Sequence, residues 1–360
     1  MKNSTTPRVF IAATRQNDGK TTTSLGLIAA LQQTFPRIGY IKPVGQRFVE
    51  IAEQKIDEDT VLMDSVYGLN CPLVDMSPIA VEPDFTRKYL ETANNEALVR
   101  KIQNAFDRVA WEKDFVLCEG SGHAGVGAVF DLSNAQVAKH LGCKVIIVSR
   151  GGIGKPIDEV ALNQALFEKE GVEVIGVIIN KVLEGKVDYI ADFARRGLKR
   201  KGLELLGVIP HRAVLTQPTM DLIRDELKAD VLNQPPSLHQ AVEDVVVGAM
   251  SAQNAVRFFK RGALLITPGD REDIVTAACA HGGAMAGIVL TGGLQPGADA
   301  LRAAKALSIP VLLARDDSYQ VAPTVHDLTV KTRPTDAEKI SLIRDLVAKN
   351  VNVKKILDSL

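Results

Sequence analysis

Gly19, Lys20 and Thr21 stand together six residues beyond an apolar run that ends at Ala13. A lysine and a hydroxyl directly after a glycine, where a buried strand gives way to a helix, are the groups that phosphate chemistry needs. Backbone N–H groups and the positive end of the helix face the anion, the ammonium reaches the phosphates, and the hydroxyl ligates a divalent ion. Residues 8–31 supply every part: the strand "RVFIAA", the turn "TRQNDG", and a helix that starts near Gly19 and runs through "KTTTSLGLIAALQQ". This assigns Lys20 to the β and γ phosphates and Thr21 to a magnesium ion. The usual pattern begins its loop with a glycine where Thr14 stands here. That glycine mainly eases the turn, so its loss weakens the motif without removing lysine, hydroxyl or helix terminus. The competing reading is an ordinary strand–loop–helix start with a solvated lysine.

Other glycine-rich stretches read differently. "SRGGIGKP", residues 149–156, has no Ser or Thr after Lys155, and is expected to be a strand-to-helix turn. His123 in "GSGHAG" has no partner in the sequence pattern and is read as incidental. Further along, "TPGDRED" and "LTGG" end apolar runs; they suit either a ligand pocket or tight βα turns with a capping aspartate.

The elements that must position these residues follow from the apolar pattern. Six short runs, "RVFIAA", "RIGYIK", "DFVLCE", "CKVIIVS", "VIGVIIN" and "LELLGVIP", are apolar on consecutive positions, as strands buried on both faces are. Amphipathic stretches such as "IDEVALNQALFEKEG" lie between them. The expected fold class is α/β: a doubly wound, mostly parallel sheet of P-loop NTPase type followed by a smaller α/β domain. Strand signal fades and prolines accumulate after His211, which places a first domain at 1–215, a linker at 216–240 and a second domain at 241–360. The second is expected to be a compact two- or three-layer unit. "TDAEKISLIRDLVAKNVNVKKILDSL" closes it as one or two helices, with Thr335 as N-cap.

A length of 360 residues suits two domains, and 43 basic against 43 acidic residues argue against nucleic acid or an anionic membrane as the main partner. Cys71, Cys118, Cys143 and Cys279 have no CxxC spacing and read as free, mostly buried thiols. No apolar signal core and no membrane-length apolar window is present, so a cytoplasmic location is expected.

The loop resembles that of dethiobiotin synthetase and its P-loop relatives, where threonine also stands at the first glycine's place, and "IKPVGQ", "FVLCEGSGHAG", "VIGVIINKV" and "LLGVIP" follow in the family's order. The later run of "QPTMDLIRDEL", "VVVGAMS", "LLITPGDRED" and "GIVLTGG" resembles the N-terminal half of long bacterial phosphotransacetylases. In those enzymes a dethiobiotin-synthetase-like domain precedes a DRTGG domain, here carrying Asp270–Arg271 and Thr291–Gly292–Gly293. The acetyl-transferring domain that follows there has no counterpart in this sequence.

The resemblance implies ATP and Mg2+ as cofactors, held by Thr14, Asp18, Gly19, Lys20, Thr21 and Thr22, with Asn180 reading the adenine edge. It implies Thr21, Glu119 and Asp59 as metal residues, and Lys42 facing the substrate and transferred phosphate. Each has a plainer reading: Glu119 as a solvated strand end, Asp59 as one of three acids opening a helix, Asn180 as a polar strand end. Gly45–Gln46–Arg47 departs from the synthetase, which has a small hydroxyl residue soon after its lysine. Two functions therefore stand: a regulatory nucleotide-binding protein with slow hydrolysis, or an ATP-dependent ligase activating a carboxylate or carbamate. A scaffold with a vestigial loop ranks third. A nucleotide, a small ligand of the second domain and a second copy of the chain, in a homo-oligomer, are the expected partners.

Overall fold

The computed structural model describes the chain except for residues 234, 282–284 and 329. Two compact units divide it: Met1–Arg212 together with Thr332–Leu360, and Ala213–Lys331.

In the first unit, β1 (Arg8–Ala13), β2 (Ile38–Ile41), β3 (Phe115–Glu119), β4 (Lys144–Arg150), β5 (Val174–Val182) and β6 (Leu205–Pro210) form one parallel sheet in the order β6-β5-β4-β1-β3-β2. Every residue of β1, β2 and β3 is buried, the burial that their consecutive apolar residues require. Helices α1 (Lys20–Leu31), α2 (Glu58–Tyr67), α3 (Asn95–Val109), α4 (Asn134–Leu141), α5 (Gly154–Lys169) and α6 (Val187–Lys199) connect the strands. The sheet is the doubly wound one expected. Its order reverses around β1, so the carboxyl ends of β1 and β3 border the crevice where such sheets bind ligands. Register brings the chemistry together: Ile11 lies beside Glu119 and Ile41 beside Cys118, so the end of β1, Glu119 and the residue after β2, Lys42, reach one level. All four cysteines are free, and three are buried.

The second unit is a sheet in the order β7-β11-β10-β9-β8, built from β7 (Asp230–Val231), β8 (Asp244–Val247), β9 (Ala263–Pro268), β10 (Gly287–Thr291) and β11 (Val311–Leu313). Only β7 is antiparallel. Alternate residues serve alternate faces: Leu265, Ile288 and Leu290 join one core, Leu264, Ile266 and Val289 the other. Helices α8 (Glu272–Ala280) and α9 (Ala298–Ala306) cover the first face, while α7 (Met220–Leu227) and α10 (Ser318–His326) cover the second. This is the three-layer form of the expected unit.

The expected linker at 216–240 is corrected by this arrangement. Met220 and Ile223 of α7 are wholly buried in that core, and Asp230 pairs with Leu313. The prolines interrupt the pattern without ending the domain; residue 234 of this segment lies outside the described residues.

The boundary of the second domain at 360 is corrected as well. Helices α11 (Ala337–Asn350) and α12 (Val353–Asp358) belong to the first unit. Val347 fills the space left by Gly26 of α1, where a Cβ would come within 2.3 Å of its Cγ2. Val351 bridges to Gly207 of β6, and the Asn352 N–H donates to the Leu206 carbonyl at 2.8 Å. Asp336, not Thr335, occupies the N-cap of α11, and its carboxylate accepts the Arg333 N–H at 2.9 Å. Among the described residues no helix is long and apolar enough to cross a membrane.

Candidate functional site

The loop between β1 and α1 is closed by its own side chains. The Thr14 hydroxyl donates to Asp18 Oδ2 at 2.7 Å and lies 3.1 Å from the Ser149 hydroxyl, while the Arg15 N–H donates to the same Asp18 oxygen at 2.8 Å. Thr14 is thus a tie across the loop and not simply a lost glycine. Burial pushes the Asp18 carboxyl up, against those hydrogen bonds. Gly19 sits at φ 101°, and a Cβ there would meet Asn180 Nδ2 at 2.1 Å, so only glycine fits. The Asn180 amide donates to the Asp18 carbonyl at 2.9 Å and its oxygen accepts the Lys181 N–H at 2.8 Å; Lys181 Nζ donates to the Asn17 carbonyl at 2.6 Å. In this structure Asn180 therefore clamps the loop from the end of β5.

Lys20 opens α1 and is only 8% exposed. Burial holds its ammonium down at about 8, from an ordinary 10.5; Lys42 adds to this, while Glu119, Asp59 and Asp18 oppose it. Among the described residues the Lys20 ammonium has only these longer-range charge interactions and no hydrogen bond or ion pair. Thr21 donates to Glu119 Oε1 at 2.9 Å, and Thr22 follows in the same turn, partly exposed.

The carboxylates lie opposite. Glu119 is fully buried, so it is not a solvated strand end, and Tyr40 donates to its Oε2 at 3.2 Å. Burial pushes the Glu119 carboxyl up, and the positive charge of Lys42 works against that. A short antiparallel hairpin, residues 48–57, delivers Asp57 as N-cap of α2 and Asp59 into its first turn. Asp59 thus opens a helix and also lies buried in the site. Lys42 pairs with Asp59, stands 3.1 Å from Asp57 Oδ1 and is 3.9 Å from Glu119 Oε1. Burial works against its charge, and the three carboxylates overturn that and push Lys42 above the usual lysine range.

Two of these residues escaped the sequence reading. Asp57 had a signal, being an acid directly before an apolar helix, but Tyr40 had none beyond its strand. Among the described residues no three His, Cys, Asp or Glu are grouped to hold a metal by themselves. A magnesium ion keeps waters and phosphate oxygens among its ligands, so Thr21, Asp59 and Glu119 remain a fitting partial set beside the unpaired Lys20.

The remaining motifs are held by local partners of their own. "GSGH" is bound by Asn134, whose amide accepts the Ser121 N–H and donates to the Ser121 and His123 carbonyls; His123 itself is exposed. "SRGGIGKP" is the turn into α5, with Lys155 exposed in its first turn. In the second unit Arg271 donates to both Asp273 oxygens and, at 3.0 Å, to the Met250 carbonyl. Thr291 lies 2.7 Å from the Ser318 hydroxyl, and the Gly292 and Gly293 N–H groups donate to Asp316 and Ala314 from φ 78° and 66°. These residues tie strand ends together as tight turns. Asp270 precedes them, and Arg271 takes the N-cap of α8 without a side-chain cap.

A family model described as an AAA domain matches residues 7–219, and one described as a DRTGG domain matches residues 222–328. The chain is 27% identical to phosphate acetyltransferase of Nitratidesulfovibrio vulgaris, over 97% of this chain and 51% of that protein. It is 29% identical to an ATP-dependent dethiobiotin synthetase of Methanococcus vannielii, over 56% of this chain and 92% of the synthetase. The septum site-determining protein MinD of Pyrococcus horikoshii, solved with Mg-ADP, is 18% identical over 58% of this chain and 83% of that one, with a TM-score of 0.38. The chain spans about half the length of the phosphate acetyltransferases it matches.

Proposed function

The chain belongs to the AAA domain family, here a P-loop NTPase fold with a DRTGG domain behind it, and from that premise we propose that its first unit binds magnesium-ATP in a regulatory role, with slow hydrolysis. The observation that carries this reading is Lys20: a lysine at a helix N-terminus, buried, without an ion-pair or hydrogen-bond partner among the described residues. Removing an ammonium from water without a partner is costly, and an anion at that helix end offsets the cost.

Lys20 and the first N–H groups of α1 bind the β and γ phosphates. Thr21, Asp59 and Glu119 would hold the magnesium ion, which when bound supplies positive charge to the phosphoryl oxygens. Asn180, Thr14 and Asp18 keep the loop in shape for the phosphates. Asp57 and Asp59 engage Lys42, so this lysine is held away from an acid substrate, which favours sensing over ligation. The second reading, a ligase activating a carboxylate or carbamate, is favoured by one observation: Lys20, Thr21, Lys42 and Glu119 converge at one site.

Titration calorimetry with ATP, ADP and GTP, with and without magnesium, tests the proposal beside Lys20→Ala. Magnesium-dependent adenine-nucleotide binding that disappears in the variant is expected; absence of binding in the unmodified protein overturns it. Rapid ADP release that depends on one small carboxylate or amine would decide for the ligase.

A further inference from the structure

Lys42 stands where two cations compete. Its ammonium pairs with Asp59, lies 3.1 Å from Asp57 and 3.9 Å from Glu119. Asp59 and Glu119 are also the carboxylates assigned above to magnesium. The surroundings are built for this pairing. Gly45 lacks a side chain where a Cβ would fall 2.6 Å from Asp57 Oδ2, the Asp59 N–H donates to Asp57 at 2.9 Å, and the Ser77 hydroxyl accepts the Asp57 N–H at 3.0 Å. Tyr40 fixes the other oxygen of Glu119, and Thr21 reaches it from α1. A second buried lysine, Lys20, faces the same cluster from the N-terminus of α1 without a hydrogen-bond or ion-pair partner for its ammonium among the described residues, so an anion there would meet both a cation and a helix N-terminus.

From this geometry we propose that Lys42 is a resident counter-ion: it neutralises the magnesium carboxylates while the site is empty, so that a divalent ion is admitted only together with nucleotide phosphates. The inference rests on the magnesium-nucleotide reading above. Two ammonium groups already face three carboxylates in a buried site. A divalent ion arriving alone must displace Lys42 or sit beside it, and charges of one sign a few ångströms apart in a buried site repel strongly. Phosphates arriving with the ion reverse the balance, because they offer both ammonium groups new partners. Lys42 is on this account a positioning residue that sets the order of loading.

The test is Mn2+ binding to the full chain, followed by electron paramagnetic resonance, with and without ATP. The unmodified protein is expected to bind Mn2+ alone at least ~100-fold more weakly than Lys42→Met, and to gain Mn2+ binding when ATP is added. The single variant leaves three buried carboxylates facing Lys20 alone, so Lys42→Met/Asp57→Asn is measured beside it and is expected to bind Mn2+ alone as well. Tight Mn2+ binding by the unmodified protein without ATP overturns the counter-ion role. So does the failure of both variants to gain it. ATP binding by the unmodified protein, read by calorimetry, separates the two ideas. If ATP binds and the variants gain nothing, only the role of Lys42 falls; if ATP does not bind, the magnesium-nucleotide reading falls with it.

Discussion

Lys20 is a cation whose charge the fold weakens and a bound phosphate would restore. Its pKa in the fold is about 8, below the ordinary 10.5. Below pH 8 the lysine is already charged, and nucleotide is expected to bind without taking up a proton. Above pH 8 the free protein carries a neutral lysine, so binding must recruit a proton, and affinity is expected to fall by up to about tenfold per pH unit. Lys20→Arg, if it binds, should lose this dependence because the guanidinium stays charged. Titration calorimetry from pH 7 to 9.5 in buffers of different ionisation heat checks both; a flat affinity in the unmodified protein contradicts the buried cation. Gly19 yields a second expectation. Gly19→Ala adds a left-handed strain of ~1–3 kcal/mol and a contact with Asn180, read as a lower denaturation midpoint. Adding Asn180→Ala should recover only part of the loss, because it relieves the contact and leaves the φ of 101°. At this scale the sequence was legible where partners are neighbours. Lys20 and Thr21 could be placed at the start of a helix from the strand and turn before them. The tie from Thr14 to Asp18 was within reach, four residues away, but comparison with a glycine pattern hid it. The partners of Lys42 lie 15 and 17 residues further on and arrive by way of a hairpin, which no local pattern announces.

Elements were legible in proportion to how completely they are buried. Consecutive apolar residues mark β1, β3 and β4 because both faces are covered, and the sheet they form is the expected one. A one-sided helix such as α11 shows that it has a partner but not which partner. Chain proximity suggested the second domain, whereas α11 packs on α1 through the gap at Gly26. This has an energetic consequence for the site, since α1 carries Lys20 at its other end. Ile343 of α11 is fully buried. Ile343→Ala is expected to destabilise the first unit by about 2–4 kcal/mol through the cavity it leaves. The second unit should keep its midpoint. Denaturation followed with and without ATP separates the two transitions, because only the first should shift with nucleotide; a lowered midpoint in both units would show that α11 is not confined to the first.

At the scale of the whole molecule the first unit is interrupted: residues 213–331 are inserted between β6 and α11. Neither family match reaches α11, the second stopping at residue 328, so motif reading had nothing with which to assign the chain's last helices. The balanced charge was silent on this point too, because it bears on partners and not on topology. An interrupted domain makes a sharp prediction. Every residue proposed for the nucleotide lies between Thr14 and Asn180, yet the fold under Lys20 needs α11 from beyond the insertion. Replacing residues 213–331 with a flexible Gly-Ser linker of ~20 residues should therefore leave magnesium-ATP affinity within roughly threefold of the full chain. A chain cut after Arg212 should lose stability and, with it, nucleotide binding, because α1 and β6 then expose the apolar face that α11 covers. Calorimetry on the two variants, with circular dichroism to establish folding, decides the matter. If the excised chain is folded and binds nothing, the second unit contributes directly to the nucleotide site. If it binds as the full chain does, the DRTGG domain is free to act as a sensor whose signal is read out by a module that can work without it.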